Sequence, residues 1–578
     1  MRFRWKGSAL AATAAAAMLG TTALGASLAS AHRVRAAQTP QKGGTIVYAL
    51  PTDTNIPWYF PYTNSSNATL YVGQLTGLLY QPLLYVNYKD QIDYSQSIAQ
   101  KVTFNPQGTV FHVFMNPKWK WSDGTPITTA DAQFGWNVLL ATDASKTAPW
   151  PNRNNGNGNV PANVKSFQVN SKYEFTITLK QPANQEWFIY NGIGQIAILP
   201  AHAWNKYPTN IQQEIAYLGK NATNANFDNP VSGAFKLQSA VQNQAWTLVP
   251  NTNYSGQVPY VSRLILQYEA SDTAEFAGLK TGQIQVGYLP AALFNARLEL
   301  GDKMIDQPPF SYRFVWPNMT SGAENGVNKI FDNLYVREAM YMAINDNVIA
   351  NLIFHGYASA EYGPIPAVPK TDFLSPSAMK APYPYSPAKG KALLEQNGWQ
   401  EVNGVMTKDG MSMNFTLAYP SGNQAVTETM EVLQQGWAQE GIKVTLVPQP
   451  FATLVGYLSQ PSKWELVSGI GIIYGGGYPS GENLFYKNQN LDLNGWNNPT
   501  ENALIQATES PAPNAQASLQ RFYAYEDFTQ KELPALWMPS PAGLGEVAPT
   551  VHGYTAYTAN WVTGAFLPQY WWVSGANG

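Results

Sequence analysis

The chain of 578 residues contains no cysteine. That excludes disulfides, thiolate nucleophiles and thiolate metal sites. Histidine is scarce: His32, His112, His202, His355 and His552 are scattered. None stands in an H-x-x-x-H or H-E-x-x-H pair, so no helical zinc site is expected. Charged residues make up only 12% of the chain, about half of the ~25% usual in soluble domains. The net charge is −2, with no basic block, so nothing points to nucleic acid as a partner. The glycines Gly475-Gly476-Gly477 are not followed by G-K-S/T, so they form no P-loop, and no G-x-S-x-G elbow occurs. Beyond the N-terminus no run reaches the ~18 apolar residues of a membrane span. No cofactor is expected.

Aromatic residues are abundant, at 13% with 18 Trp and 33 Tyr. They offer stacking surfaces for a ligand or an aromatic core. Hydrophobic residues at 45% suffice for a large core, and the length suggests roughly two to four structural units. Arg2, Arg4 and Lys6 precede an Ala/Leu-rich run from Ser8 to Leu28, and Ala29-Ser30-Ala31 is an A-x-A site. This predicts a signal peptide over 1–31, cleaved before His32, and a polar linker over 32–42. An uncleaved anchor helix is the competing reading, because the run is close to the ~20 residues that span a bilayer.

The most informative stretch runs from Phe111 to Leu140. Phe111, Val113 and Met115 alternate with polar or exposed-type positions, as do Trp119 and Trp121, so a strand is expected. Asp123-Gly124 is a tight-turn pair. Thr128 with Asp131 resembles a capping box, and Phe134, Val138 and Leu139 then share one helical face. Elsewhere, strands are expected at 43–50, 413–420 and 441–446, a hairpin over 164–179 turning at Ser171-Lys172, and helices over 74–85, 335–349, 428–440 and 518–528. Residues 466–485 read as an apolar strand running into the glycine turn. Residues 152–161 read as a flexible loop or lid edge. Gly192-Ile193-Gly194-Gln195-Ile196-Ala197 has the G-x-G-x-x-A spacing of a nucleotide fingerprint. It lacks a leading strand and a downstream acidic residue, and is expected to be a strand or turn. Alternating strands and helices argue for an α/β fold.

Several segments together resemble one family. Lys120-Trp121-Ser122-Asp123-Gly124-Thr125-Pro126 followed by Thr129-Ala130-Asp131 is similar to its signature turn and helix start. The opening Gly43-Gly44-Thr45, the segment Tyr80-Gln81-Pro82-Leu83, the run Asn229 to Leu237 with Leu248, Asn251 and Tyr254, and Tyr335 to Ile349 also fit. So do Gly363-Pro364-Ile365-Pro366, Tyr385 to Trp399 and Asn497-Asn498-Pro499. The family is that of the bacterial extracellular solute-binding proteins of family 5, the oligopeptide- and dipeptide-binding group that feeds ABC transporters. The resemblance implies a two-lobed, class II type periplasmic-binding-protein fold with an extra subdomain inserted in the first lobe. Lobe I is expected from 43–75, 189–312 and 537–578, the inserted subdomain from 76–188, and lobe II from 313–536. It also implies an extracytoplasmic, monomeric receptor, not an enzyme. Such a receptor holds a peptide or other small polar solute between its lobes and delivers it to a permease.

Departures from the pattern matter for the ligand. Ala234 replaces a proline, Gln285 an aspartate, and Trp316-Pro317-Asn318 ends a crossing strand differently. Peptide-binding members carry an aspartate for the peptide amine where this chain has Gly475, and no carboxylate lies between Glu465 and Glu482. A buried ammonium needs such a partner. A ligand without that amine, such as a sugar or a metal chelate, is therefore an alternative, and a secreted carboxylate-dependent hydrolase is another. The ligand-binding residues expected are Tyr59, Trp316, Asn318, Tyr474, Gly475, Tyr478 and Glu482.

Overall fold

Two β-sheets organise the chain, and the order of their strands makes two lobes. The computed structural model describes residues 39–575 except 144–147, 228, 475–476 and 488–491. The predicted signal segment 1–31 and most of the linker lie outside the described residues. The first sheet has seven strands in the order Lys303–Gln307, Gly543–Val547, Val286–Tyr288, Thr45–Ala49, Arg263–Gln267, Ala245–Pro250 and Phe235–Val241. Its centre is the parallel pair Thr45–Ala49 and Arg263–Gln267, which buries Ile46, Leu264 and Leu266 completely.

The second sheet runs Lys443–Gln449, Asn414–Pro420, Leu466–Val467, Ser311–Pro317 and Gly471–Ile473, with Leu536–Met538 also paired to Ser311–Pro317. The predicted apolar strand beginning at Leu466 is one interrupted strand. Leu466–Val467 and Gly471–Ile473 both lie along Ser311–Pro317, and Gly469 with φ +72° breaks the ladder between them. Among the described residues, the chain passes from the first sheet to the second through 308–310 and returns through 539–542. The two passages are neighbours. Lys303–Gln307 pairs antiparallel with Gly543–Val547 on one side, and Arg313–Val315 with Leu536–Met538 on the other.

A separate four-stranded antiparallel sheet comprises Ala99–Phe104, Val110–Met115, Glu174–Leu179 and Val164–Ser171, in that spatial order. The alternation read at Phe111, Val113 and Met115 is its buried face, with all three side chains fully covered. The hairpin turn falls at Lys172-Tyr173, one residue later than expected. Trp136 of the helix Thr129–Asp143 stacks on Phe167 at 5.4 Å, and Phe167 stacks on Phe175 at 4.6 Å.

The signature turn is a fastener. The Trp121 N–H donates to the Thr125 carbonyl at 2.8 Å, and Gly124 takes φ +90°, which favours glycine. The Ser122 N–H donates to the Val231 carbonyl at 2.7 Å, and the Val231 N–H donates to Ser122 Oγ at 3.1 Å. Asp131 accepts from the Thr128 N–H at 2.8 Å and from the Ala201 N–H at 3.0 Å, so it caps its own helix and fixes a distant segment. The second motif fastens the helix Leu70–Leu79. Its last carbonyl accepts from the Ser232 N–H at 3.0 Å and the Gly233 N–H at 2.7 Å. A Cβ on Gly233 would stand 2.2 Å from the Leu78 carbonyl oxygen, so only glycine fits.

Other elements differ from the sequence reading for local reasons. Asn423 and Asn514 cap helices at Gln424–Gln439 and Ala515–Glu532, extending both beyond their apolar faces. The helix expected over 335–349 stops at Met342 and restarts at Asp346, where the Asn345 side chain accepts from the Val348 N–H. Residues 188–195 are neither strand nor turn but consecutive π and 3-10 helical turns, started by Asn184, which accepts from the N–H groups of Glu186 and Trp187.

The scarcity of charge extends inward. Glu275, Glu361, Glu440, Glu501 and Glu526 are buried. Burial pushes Glu361 and Glu501 up to about 8, and Glu275, Glu440 and Glu526 up to about 9. A raised folded pKa gives stability that is fully present below the unfolded value near 4.5 and is lost as pH rises through 8 to 9. Each group contributes roughly 1 kcal/mol per pH unit inside that window. The urea midpoint is therefore expected to be higher at pH 5 than at pH 8; an equal or lower midpoint at pH 5 would contradict the neutral state of these carboxyls.

Candidate functional site

The residues expected at the ligand separate into structural and clustered groups. Tyr59 is buried; its hydroxyl accepts from Gln242 Nε2 at 3.3 Å and its N–H donates to the Ala222 carbonyl at 2.7 Å. Trp316 is buried with its ring centre 4.6 Å from that of Phe314. Asn318 has no exposed surface. Its amide donates to the carbonyls of Pro461 and Trp464 at 2.8 Å, and its oxygen accepts from Thr320 Oγ1 at 2.7 Å. Gly475 lies outside the described residues.

Tyr474, Tyr478 and Glu482 lie along the chain that follows the interrupted strand. Tyr474 is half-buried, with its ring near Phe310 and Tyr312 and its hydroxyl donating to the Pro364 carbonyl at 2.6 Å. Tyr478 is held by Asn191 in both directions: its N–H donates to Asn191 Oδ1, and Asn191 Nδ2 donates to its carbonyl, each at 2.9 Å. Glu482 accepts from Asn191 Nδ2 at 2.7 Å, Trp187 Nε1 at 3.0 Å and the Gly158 N–H at 3.3 Å. The loop read as a lid edge thus meets the segment after the second sheet. Asn184 reinforces the same contact, donating from Nδ2 to the Thr508 carbonyl at 2.9 Å and to Ser518 Oγ at 2.8 Å. No pattern in the sequence marked Asn184, Trp187 or Asn191, because their partners are about 290 or more residues away.

Glu509 faces Glu482 in this contact. Burial pushes Glu482 up to about 7 against the pull of its three donors, and burial with the neighbouring carboxyl pushes Glu509 well up. Both shifts favour the protonated forms, so the pair resists carrying two charges. A cavity of about 570 Å³ adjoins it, lined by Asn163, Lys180, Trp187, Tyr486 and both carboxyls among others.

A different environment occupies the middle of the crossing strand. Arg313 stands between Gly471 and Met538 in the ladder. A Cβ on Gly471 would meet Arg313 Cδ at 2.7 Å and Nη1 at 2.8 Å, so the missing side chain is what makes room for the guanidinium. Across from it lies Tyr71, in the first turn of the helix Leu70–Leu79 and within electrostatic reach. Burial pushes the Tyr71 phenol up to about 12, so it stays neutral. Tyr48 stacks on Phe566 at 5.0 Å, and Phe566 on Trp571 at 5.7 Å. Tyr48, Tyr71 and Arg313 are half-buried and keep open surface. Among the described residues no group of three or more His, Asp or Glu side chains could hold a metal, and no helix is long and apolar enough to cross a membrane.

The family model for bacterial extracellular solute-binding proteins, family 5, middle region, matches residues 93–492. The chain belongs to that family. The oligopeptide-binding protein AppA of Bacillus subtilis is 25% identical over 437 residues, covering 75% of this chain and 74% of that protein. Its structure superposes with a TM-score of 0.74 at 21% identity, covering 93% and 100% of the two chains. The periplasmic EDTA-binding protein EppA superposes with 0.77 at 16% identity, covering 93% and 97%. NikZ of Campylobacter jejuni superposes with 0.72 at 16%, covering 91% and 99%. The family-5 chain is an extracytoplasmic solute-binding receptor that works with the permease subunits of an ABC transporter, and it is not an enzyme. The hydrolase alternative is therefore set aside, and the Glu482–Glu509 pair is a contact between segments, not an acid–base pair.

That contact makes a pH-dependent prediction. Both carboxyls are raised, so the stability they confer is present below about pH 4.5 and falls as pH rises through about 7. Glu509→Gln removes the like charge and supplies an amide donor. It is expected to stabilise the protein at pH 8 by roughly 1–2 kcal/mol and to protect the amides around Gly158 and Tyr478 from hydrogen exchange. Loss of protection there at pH 8 would show that Glu509 does not oppose Glu482.

Proposed function

We propose that this receptor captures a peptide or another small polar solute between the two lobes. The observation that carries the reading is the pair of adjacent crossings at 308–310 and 539–542, which confines relative motion of the sheets to one hinge. The finer architecture follows from the same reading. Lobe I is built from 43–75, 189–310 and 539–578 and lobe II from 311–538, in a class II type topology; the expected bounds at 312 and 537 move by two residues because Ser311–Pro317 and Leu536–Met538 pair within the second sheet. The four-stranded sheet within 99–179 forms the core of a subdomain, 76–188, inserted in lobe I. Its hydrogen-bonded ladder joins neither large sheet among the described residues, which supports that assignment. The receptor acts as a monomer.

Among the expected ligand residues, Tyr474 and Gly475 are assigned to the solute, and Tyr478 and Glu482 to the closed contact that follows it. Tyr59, Trp316 and Asn318 support the walls from behind. The ligands of the structural relatives differ widely: a nonapeptide for AppA, EDTA for EppA, and a nickel–histidine complex for NikZ. The fold therefore does not choose the solute, and this chain's own cleft residues do.

Native mass spectrometry of gently purified protein is expected to show a bound small mass that is lost on denaturation. Small-angle scattering is expected to show the emptied protein contracting when the solute is restored. Chemical conversion of the solute on long incubation, or contraction without any bound mass, would sink the reading.

A further inference from the structure

We propose that Arg313 anchors a carboxylate of the solute, so that the ligand of this receptor is a carboxylate-bearing molecule. The inference rests on the reading of the interlobe cleft as the solute site and goes further by naming the chemistry. Arg313 is the one charged side chain in the strand Ser311–Pro317, whose other six members are uncharged. Tyr312 and Phe314, its neighbours in sequence, pack on each other on the opposite face at 5.7 Å. That leaves the guanidinium on the other face, over Gly471.

Among the described residues the Arg313 side chain has no hydrogen bond and no ion pair, and no carboxylate figures in its electrostatic surroundings. The contrast with Arg337 is instructive. Arg337 is more deeply buried than the half-buried Arg313, and it donates to the Phe331 carbonyl at 2.6 Å and to the Glu532 carbonyl at 2.8 Å. A half-buried guanidinium without a counter-charge has as its natural partner a planar anion accepting two parallel N–H bonds, and such a partner is needed once the lobes close over it. The groups around it suit such a guest. Among the described residues the Tyr71 hydroxyl, within electrostatic reach of Arg313, makes no hydrogen bond and is free to donate, and Tyr48, which interacts with Tyr71, is stacked on Phe566. Gly471 completes the seat, since any side chain there would displace the guanidinium.

Two sources of the carboxylate are distinguishable: the C-terminus of a peptide and a non-peptide organic acid. Emptied wild-type protein, Arg313→Met, Arg313→Lys and Gly471→Ala are titrated with an alanine-rich pentapeptide mixture bearing free C-termini, the same mixture C-amidated, and citrate. Binding of the acid peptides, or of citrate, that weakens about 10- to 100-fold in Arg313→Met, with Arg313→Lys intermediate and Gly471→Ala also weakened, supports the proposal. The amidated mixture then binds no better to wild type than to Arg313→Met. The source is the peptide if only the first mixture binds and an organic acid if only citrate does.

A structural arginine predicts something else: Arg313→Met would unfold at a lower temperature without ligand. An anchor predicts an unchanged or higher midpoint, because an unpaired charge has been removed. Equal binding by wild type and Arg313→Met, or equal retention of acid and amidated peptides, overturns the proposal while leaving the receptor reading intact. If none of the probes binds, the solute carried from the expression host is tested against Arg313→Met in the same way. A wild type that carries no small solute from any source overturns the receptor reading, and the carboxylate anchor with it.

Discussion

The pairing of the two crossing passages is the constraint on which the rest depends. Lys303–Gln307 lies beside Gly543–Val547, and Arg313–Val315 beside Leu536–Met538, so the chain enters and leaves the second lobe through one narrow waist. Every long-range contact of the cleft inherits its position from that waist. Asn191 reaches Tyr478 and Glu482, and Asn184 reaches Ser518, only because the lobes can approach about it. Arg313 and Gly471 sit opposite each other in the second sheet, immediately past the waist.

The polar economy of the interior follows a consistent logic. With so few charges in the chain, those that are buried stand out. Burial favours the neutral form of Glu275, Glu361, Glu440, Glu501 and Glu526, and burial with mutual repulsion does the same for Glu482 and Glu509. Arginine has no such escape, because its guanidinium keeps its charge in proteins. Arg337 resolves the difficulty with main-chain carbonyls, and Arg313 leaves it open. This difference sets the buried, bonded Arg337 apart from the half-buried Arg313 proposed as an anchor.

Local chemistry in the sequence read well where one segment carried the whole explanation. The alternation of Phe111, Val113 and Met115 gave a strand, Asp123-Gly124 a turn, and Thr128 with Asp131 a cap. The bonds of Ser122 to Val231 and of Gly233 to Leu79 were not legible, although both motifs were seen, because a motif does not state its partner. Helix ends were misjudged where a side chain such as Asn345 or Asn514 set them instead of apolar periodicity. The site was harder still. Tyr59, Trp316 and Asn318 look like ligand residues on a string of letters, but each uses its polar atom or its ring on the protein itself. Arg313 did leave a trace, a lone cation inside Tyr312 to Asn318, and its meaning appears only once the absence of a partner is visible.

The composition of the waist has a thermodynamic side. Of its seven residues, Pro308, Pro309, Phe310, Pro539, Ser540, Pro541 and Ala542, four are prolines, each with φ fixed near −65°. Ser540–Pro541 is further tied to Ala358–Ser359, and Ser540 Oγ lies 3.3 Å from Ser311 Oγ. Four fixed φ angles leave the waist fewer conformations than a run of ordinary residues would have. Less conformational entropy is then surrendered when the solute draws the lobes together, and more of the contact energy in the cleft appears as affinity.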